Sequence, residues 1–145
     1  MVATANDSTA YWYPAPYLQT MENLESLYPL SVGFKPAKKL RKISLGSDAE
    51  GYYNPNITTA NFEGNTMLEE LNIPNSGVSM EGKNLGTLNL SELKSLKKLN
   101  ISGSTYTKLE LADGGLVETM YLNGLEELRA SNLTNLKTVV FDTDT

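Results

Sequence analysis

Two acidic pairs, Glu69-Glu70 and Glu126-Glu127, have the type and spacing that would suit proton transfer, one carboxyl as acid and its neighbour as base. Nothing around them completes such a site. The 145 residues include no His and no Cys. That removes the commonest general base and nitrogen ligand, thiolate chemistry and disulfides. Asp48-Ala49-Glu50 and Asp142-Thr143-Asp144 offer oxygen donors of the kind Ca²⁺ takes, but neither completes a recognised loop. The acidic residues read better as solvated positions in a charge pattern. No catalytic activity, no cofactor and no metal are expected.

Binding is the better-supported chemistry. Tyr11, Trp12, Tyr13 and Tyr17 surround two prolines in YWYPAPYLQT, an aromatic strip suited to lie along a partner or to cover the first layer of a core. Tyr52 and Tyr53 sit in a long segment, where tyrosines make good contacts with proteins. The basic run Lys35, Lys38, Lys39, Arg41 and Lys42 would attract phosphates. Its better account is structural, because an acidic pair aligns with part of it. Net charge is −5, so no nucleic-acid footprint is expected. No apolar run approaches the roughly 20 residues of a membrane-spanning helix, and membrane insertion is not expected. Asn-x-Ser/Thr triplets occur at Asn6, Asn56, Asn89, Asn100 and Asn132. A glycan on Asn89 or Asn100 would fall in the middle of a strand-like segment, and MVATANDSTA lacks the features of a signal peptide.

The elements that position these residues repeat. Apolar-x-x-apolar-x-apolar hexads begin at Leu40, Ile57, Leu68, Leu85, Leu96, Tyr106, Val117, Leu125 and Leu136. Taken alternately, Leu40, Leu68, Leu96, Val117 and Leu136 are separated by 28, 28, 21 and 19 residues. Ile57, Leu85, Tyr106 and Leu125 are separated by 28, 21 and 19. The two series shorten in step, as two strand segments per coil would require. Turn residues fall between them, as in Pro74-Asn75, Ser102-Gly103 and Asn123-Gly124.

The charges agree with that register. Parallel strands of successive coils lie about 4.8 Å apart, so equivalent positions stack. Along the first series the middle positions read Arg41-Lys42, Glu69-Glu70, Lys97-Lys98, Glu118-Thr119 and Lys137-Thr138. In the second, Lys108 falls beside Glu127 and Glu110 beside Arg129. Opposite charges on neighbouring strands are favourable and like charges are not. The expected core is Leu40, Ile43, Leu45, Leu68, Leu71, Ile73, Leu85, Leu88, Leu90, Leu96, Leu99 and Ile101. It continues through Leu109, Leu111, Met120, Leu122, Leu128, Val139 and Phe141.

These hexads, over about 106 of 145 positions, resemble leucine-rich repeats, whose period is roughly 20–29 residues. The resemblance implies a mainly β, leucine-rich-repeat-like β-solenoid with two strand segments per coil and little helix. SELKSL, from Ser91 to Leu96, has room for a single turn only. Where the family places Asn or Cys after the last apolar position, this chain has Asp48, Ser76 and Ser104, with Asn65 in the second series. Serine supplies a weaker version of that ladder. Residues 1–36 are expected to form an N-terminal arm and cap, and residues 37–145 the solenoid, with an uncapped C-terminal end after Phe141. The style of the coils from Leu68 to Phe141 resembles virion and tail proteins of large phages, including crAss-like gut phages. That resemblance implies a non-enzymatic structural protein of the virion, associated with tail or fibre, bound to other proteins in a large assembly and involved in host attachment. The alternative is a bacterial cell-surface or secreted leucine-rich-repeat adhesin.

Overall fold

The computed structural model of the chain describes residues 3–5, 10–12, 20–22, 24–26, 30–34, 37–45, 57–78 and 83–142. Five short strands precede the hexads: β1 (Ala3–Ala5), β2 (Ala10–Trp12), β3 (Thr20–Glu22), β4 (Leu24–Ser26) and β5 (Leu30–Gly33). Each hexad then contains one strand: β6 (Lys42–Ser44), β7 (Ile57–Asn61), β8 (Glu70–Asn72), β9 (Gly86–Leu90) and β10 (Lys98–Asn100). They continue as β11 (Tyr106–Leu111), β12 (Thr119–Leu122), β13 (Glu127–Arg129) and β14 (Thr138–Phe141). The fold is mainly β, and among the described residues there is no helix and no closed barrel.

Every strand pairing is parallel. One sheet has six strands in the order β14-β12-β10-β8-β6-β3, and another three in the order β13-β11-β9. A further three-stranded sheet runs β2-β5-β7, and β1 pairs with β4. From β8 onward strands of the two main sheets alternate along the chain, so each connection crosses from one sheet to the other. Pairing also crosses residue 36, since β3 continues the six-stranded sheet and β5 pairs with β7.

The register follows the hexads. Ile43 faces Leu71, Leu71 faces Leu99, Leu99 faces Met120 and Met120 faces Val139. On the other sheet Leu88 faces Leu109, which faces Leu128. The backbone repeats as faithfully. The Arg41 carbonyl accepts from the amides of Glu69 and Glu70, that of Glu69 from Lys97 and Lys98, and that of Lys97 from Glu118 and Thr119. Apolar side chains of both sheets meet in one buried cluster.

The returns from the second series to the first are single turns. Leu93 N–H donates to the Leu90 carbonyl and Leu96 N–H to that of Leu93. Ala37 and Asn65 occupy the equivalent turns 28 residues apart. Phe34 and Phe62, which lead into them, stack with ring centroids 5.5 Å apart. At the opposite corners Asn75 and Gly103 hold the same left-handed conformation one repeat apart, with φ of 59° and 68°. At Gly103 the backbone angle favours glycine, and an added Cβ would push aside the flexible Asn75 amide.

Two expectations need correction. The Ile57 hexad was expected to stack on the Leu85 hexad, yet β7 pairs with β5 and not with β9. The reason lies in the longer corner. Gly77 N–H donates to the Ile57 carbonyl and Thr105 N–H to that of Ser76, so Ser76-Gly77, and not β9, takes the main-chain position beside Ile57. Second, Leu128, Val139 and Phe141 are exposed instead of buried, and Leu85 is only partly buried. The final strands have the right register, and among the described residues no further layer covers them.

Candidate binding surfaces

The outward face of the six-stranded sheet carries two parallel rows. The first reads Lys42, Glu70, Lys98, Thr119 and Thr138, and the second Ser44, Asn72, Asn100, Tyr121 and Val140. Glu70 meets Lys98 at 3.7 Å, while Glu69 lies between Arg41 at 3.9 Å and Lys97 at 3.4 Å. These carboxylates are thus members of a charge ladder. Asn72 donates from Nδ2 to Ser44 Oγ, and the exposed Tyr121 ring closes a shallow concavity of about 510 Å³. Amide groups beside an accessible aromatic ring on a rigid sheet can hydrogen-bond and stack against a polar ligand.

On the second sheet, Lys108 meets Glu110 at 3.1 Å and Glu127 at 3.8 Å. Arg129 donates from Nε to Glu127 Oε1 at 2.9 Å. That hydrogen bond, and then the Lys108 charge, hold the Glu127 carboxyl below its usual range. Hydrogen bonds from Asn132 and Ser131 lower Asp113 in the same way. Lowered carboxyls of this kind stay charged at neutral pH and are poorly suited to general acid catalysis.

The break between β7 and β9 opens a cleft of about 420 Å³, with Ala60, Phe62, Thr87 and Glu92 among its lining residues. Glu92 reaches across the gap to accept from Gly64 N–H at 3.3 Å.

Polar groups inside the core are tied to the corners. Ser76 Oγ donates to the Ile73 carbonyl at 2.8 Å, and Ser104 Oγ accepts from Ser76 N–H at 3.0 Å. Tyr106 is also buried, and that burial pushes its phenol up to about 12. Asn65 donates to the carbonyls of Phe34 at 2.8 Å and Ala37 at 3.1 Å, and Asn123 to that of Tyr106 at 2.8 Å. This buried network is structural: its donors satisfy main-chain acceptors that would otherwise be lost at the turns.

Of the residues expected to contact partners, Tyr11 and Trp12 lie in β2, where their backbones pair with Ser31 and Val32. Tyr13, Tyr17, Tyr52 and Tyr53 lie outside the described residues, as do Asp48, Ala49, Glu50, Thr143 and Asp144. Asp142 accepts from Gly103 N–H at 2.6 Å. Among the described residues no three acidic groups gather as a metal site.

The asparagine triplets at Asn89 and Asn100 acquire a physical explanation. Asn89 and Asn100 each use Oδ1 to accept from the amide and hydroxyl of the serine two residues on. Asn61 and Asn84 make the equivalent amide contact with Glu63 and Gly86. These are side-chain turns leading out of or into strands. The 28-residue spacing of Asn61 and Asn89 was a usable signal for them. No family model matches this chain, and neither does any curated protein or solved structure.

Proposed function

We propose that this chain is a leucine-rich-repeat-like β-solenoid acting as a non-enzymatic structural and interaction protein within a large assembly. The observation that carries the reading is the uninterrupted six-stranded parallel ladder, with opposite charges stacked at Lys42, Glu70 and Lys98. Such stacked layers present broad, rigid, repetitive surfaces suited to binding other proteins. The style of the coils favours a virion component, associated with a phage tail or fibre and serving host attachment. A function argued from architecture is an analogy, so its test must identify the neighbours.

A free recognition module, a cell-surface or secreted adhesin, is the second reading. The concavity beside Asn72, Asn100 and Tyr121 favours it, because it offers polar and aromatic contacts. Mass spectrometry of proteins co-purifying with the native material separates the two. Stoichiometric capsid and tail proteins are expected for a virion component. A lone 15.9 kDa species would overturn that assignment and favour the adhesin.

A further inference from the structure

On the outward face of the six-stranded sheet, Ser44, Asn72, Asn100 and Tyr121 hold one register position in four successive strands, β6, β8, β10 and β12. At about 4.8 Å per strand, the row runs straight for roughly 14 Å. It lines the shallow concavity of about 510 Å³.

The hydrogen-bonding capacity of the two amides is only half used. Asn72 donates from Nδ2 to Ser44 Oγ, and its Oδ1 has no partner among the described residues. Asn100 does the reverse. Its Oδ1 accepts from the amide and hydroxyl of Ser102, and its Nδ2 donates to no described residue. Both side chains are half-buried and anchored by those bonds, so a free acceptor and a free donor pair stand on neighbouring strands. Next to them Tyr121 is 44% exposed and offers a flat apolar ring with a polar tip.

These features select a class of ligand. An acceptor beside donors suits a molecule that carries both functions on adjacent atoms, as vicinal hydroxyls do. An accessible tyrosine ring packs against the C–H face of a pyranose. The adjoining charges answer each other, with Glu70 and Lys98 at 3.7 Å, so a charged ligand gains little there. The concavity is also too shallow and polar to reward an apolar one.

We propose that this concavity is a carbohydrate-binding site, taking a neutral, extended glycan along the row from Ser44 to Tyr121. Asn72 Oδ1 accepts from one hydroxyl, Asn100 Nδ2 donates to the next, and Tyr121 stacks on a ring. A straight row with one side chain per strand is followed by an extended chain and not by a coiled one. The inference rests on the recognition reading of this concavity and names its ligand class.

Nuclear magnetic resonance titration of the isotope-labelled full chain is the test, with cellohexaose and mannohexaose as the extended neutral probes. At least one should shift the side-chain amide signals of Asn72 and Asn100 saturably in the millimolar range. No shift from either probe up to about 10 mM, or shifts confined to another face, would overturn the proposal. Tyr121→Ala should weaken the binding at least about tenfold, while Tyr121→Phe, which keeps the ring, should stay within about threefold of the parent. A Tyr121→Ala chain that retains a dispersed amide spectrum and binds like the parent would equally overturn it. If that variant does not fold, the parent titration still decides. Co-purification answers a separate question. A lone chain that binds neither sugar would leave the recognition module standing and remove only its ligand class.

Discussion

The Leu96–Ile101 hexad and the Leu136–Phe141 hexad have the same apolar spacing and belong to the same sheet, yet their burial is opposite. Leu99, in β10, lies between Leu71 and Met120 and is almost wholly buried. Val139, in β14, has Met120 on one side and an open edge on the other. The hexad therefore specifies a strand and its inward face, while burial requires a neighbour on both sides.

The largest expected effect breaks or sustains that contrast directly. Leu99→Ala should destabilise by about 2–5 kcal/mol in denaturant unfolding, as other fully buried leucines do. Val139→Ala should cost under about 1 kcal/mol, because its side chain is already partly in water. Equal costs would mean that the end layer is covered. Next, Asn65→Ala should cost about 1–3 kcal/mol, since the Phe34 and Ala37 carbonyls would lose a buried donor. A loss below about 0.5 kcal/mol would show that this corner is hydrated.

Tyr106 sharpens the contrast through pH. Its folded pKa, raised by burial to about 12, lies above the ordinary value of 10.0. The folded state therefore holds the phenolic proton more tightly than the unfolded chain. Its stabilising contribution is complete below pH 10.0 and is lost as pH rises towards about 12. Thermal unfolding across that window should show a falling melting temperature, with a shallower fall in Tyr106→Phe. An unchanged slope in that variant would place the alkaline loss elsewhere.

The smallest effect belongs to the surface. Replacing both Lys97 and Lys98 with Glu would set four acids side by side with Glu69 and Glu70. These side chains are substantially exposed, so the loss should be about 1 kcal/mol at low salt and should fade as salt is added. No loss at low salt would mean that the rows are not neighbours.

Much of this arrangement was legible in the sequence. The Leu40, Leu68, Leu96, Val117 and Leu136 hexads pair in the order and register that their spacing and alternating charges required. Lys108–Glu127 and Glu110–Arg129 align in the same way. The interruption at β7 was hidden because the Ile57 hexad satisfies the apolar pattern. What displaces it is corner geometry, with Ser76-Gly77 taking main-chain positions between Ile57 and Thr105. The exposure of Leu128, Val139 and Phe141 was equally invisible to periodicity, which reports the face of a strand and says nothing of its neighbours. Ser76 and Ser104 were recognised as ladder positions, but the hydrogen bond between them joins residues 28 apart and needed three-dimensional structure. The aromatic contacts at Tyr13, Tyr17, Tyr52 and Tyr53 lie outside the described residues.

The central claim is that one parallel register stacks the Leu40, Leu68, Leu96, Val117 and Leu136 hexads. The native chain lacks cysteine, so pairs introduced by mutation can report it without interference. Asn72 and Asn100 are register partners, as are Tyr121 and Val140. Cysteines placed at either pair would have Cα atoms about 5 Å apart, within disulfide range. Asn72 and Tyr121 are two strands apart, at about 10 Å, and should not be bridged. Under mild oxidation, the account predicts intramolecular disulfides in the first two double variants and none in the third. A free pair at Asn72/Asn100, or a bridge at Asn72/Tyr121, would contradict the stacked register.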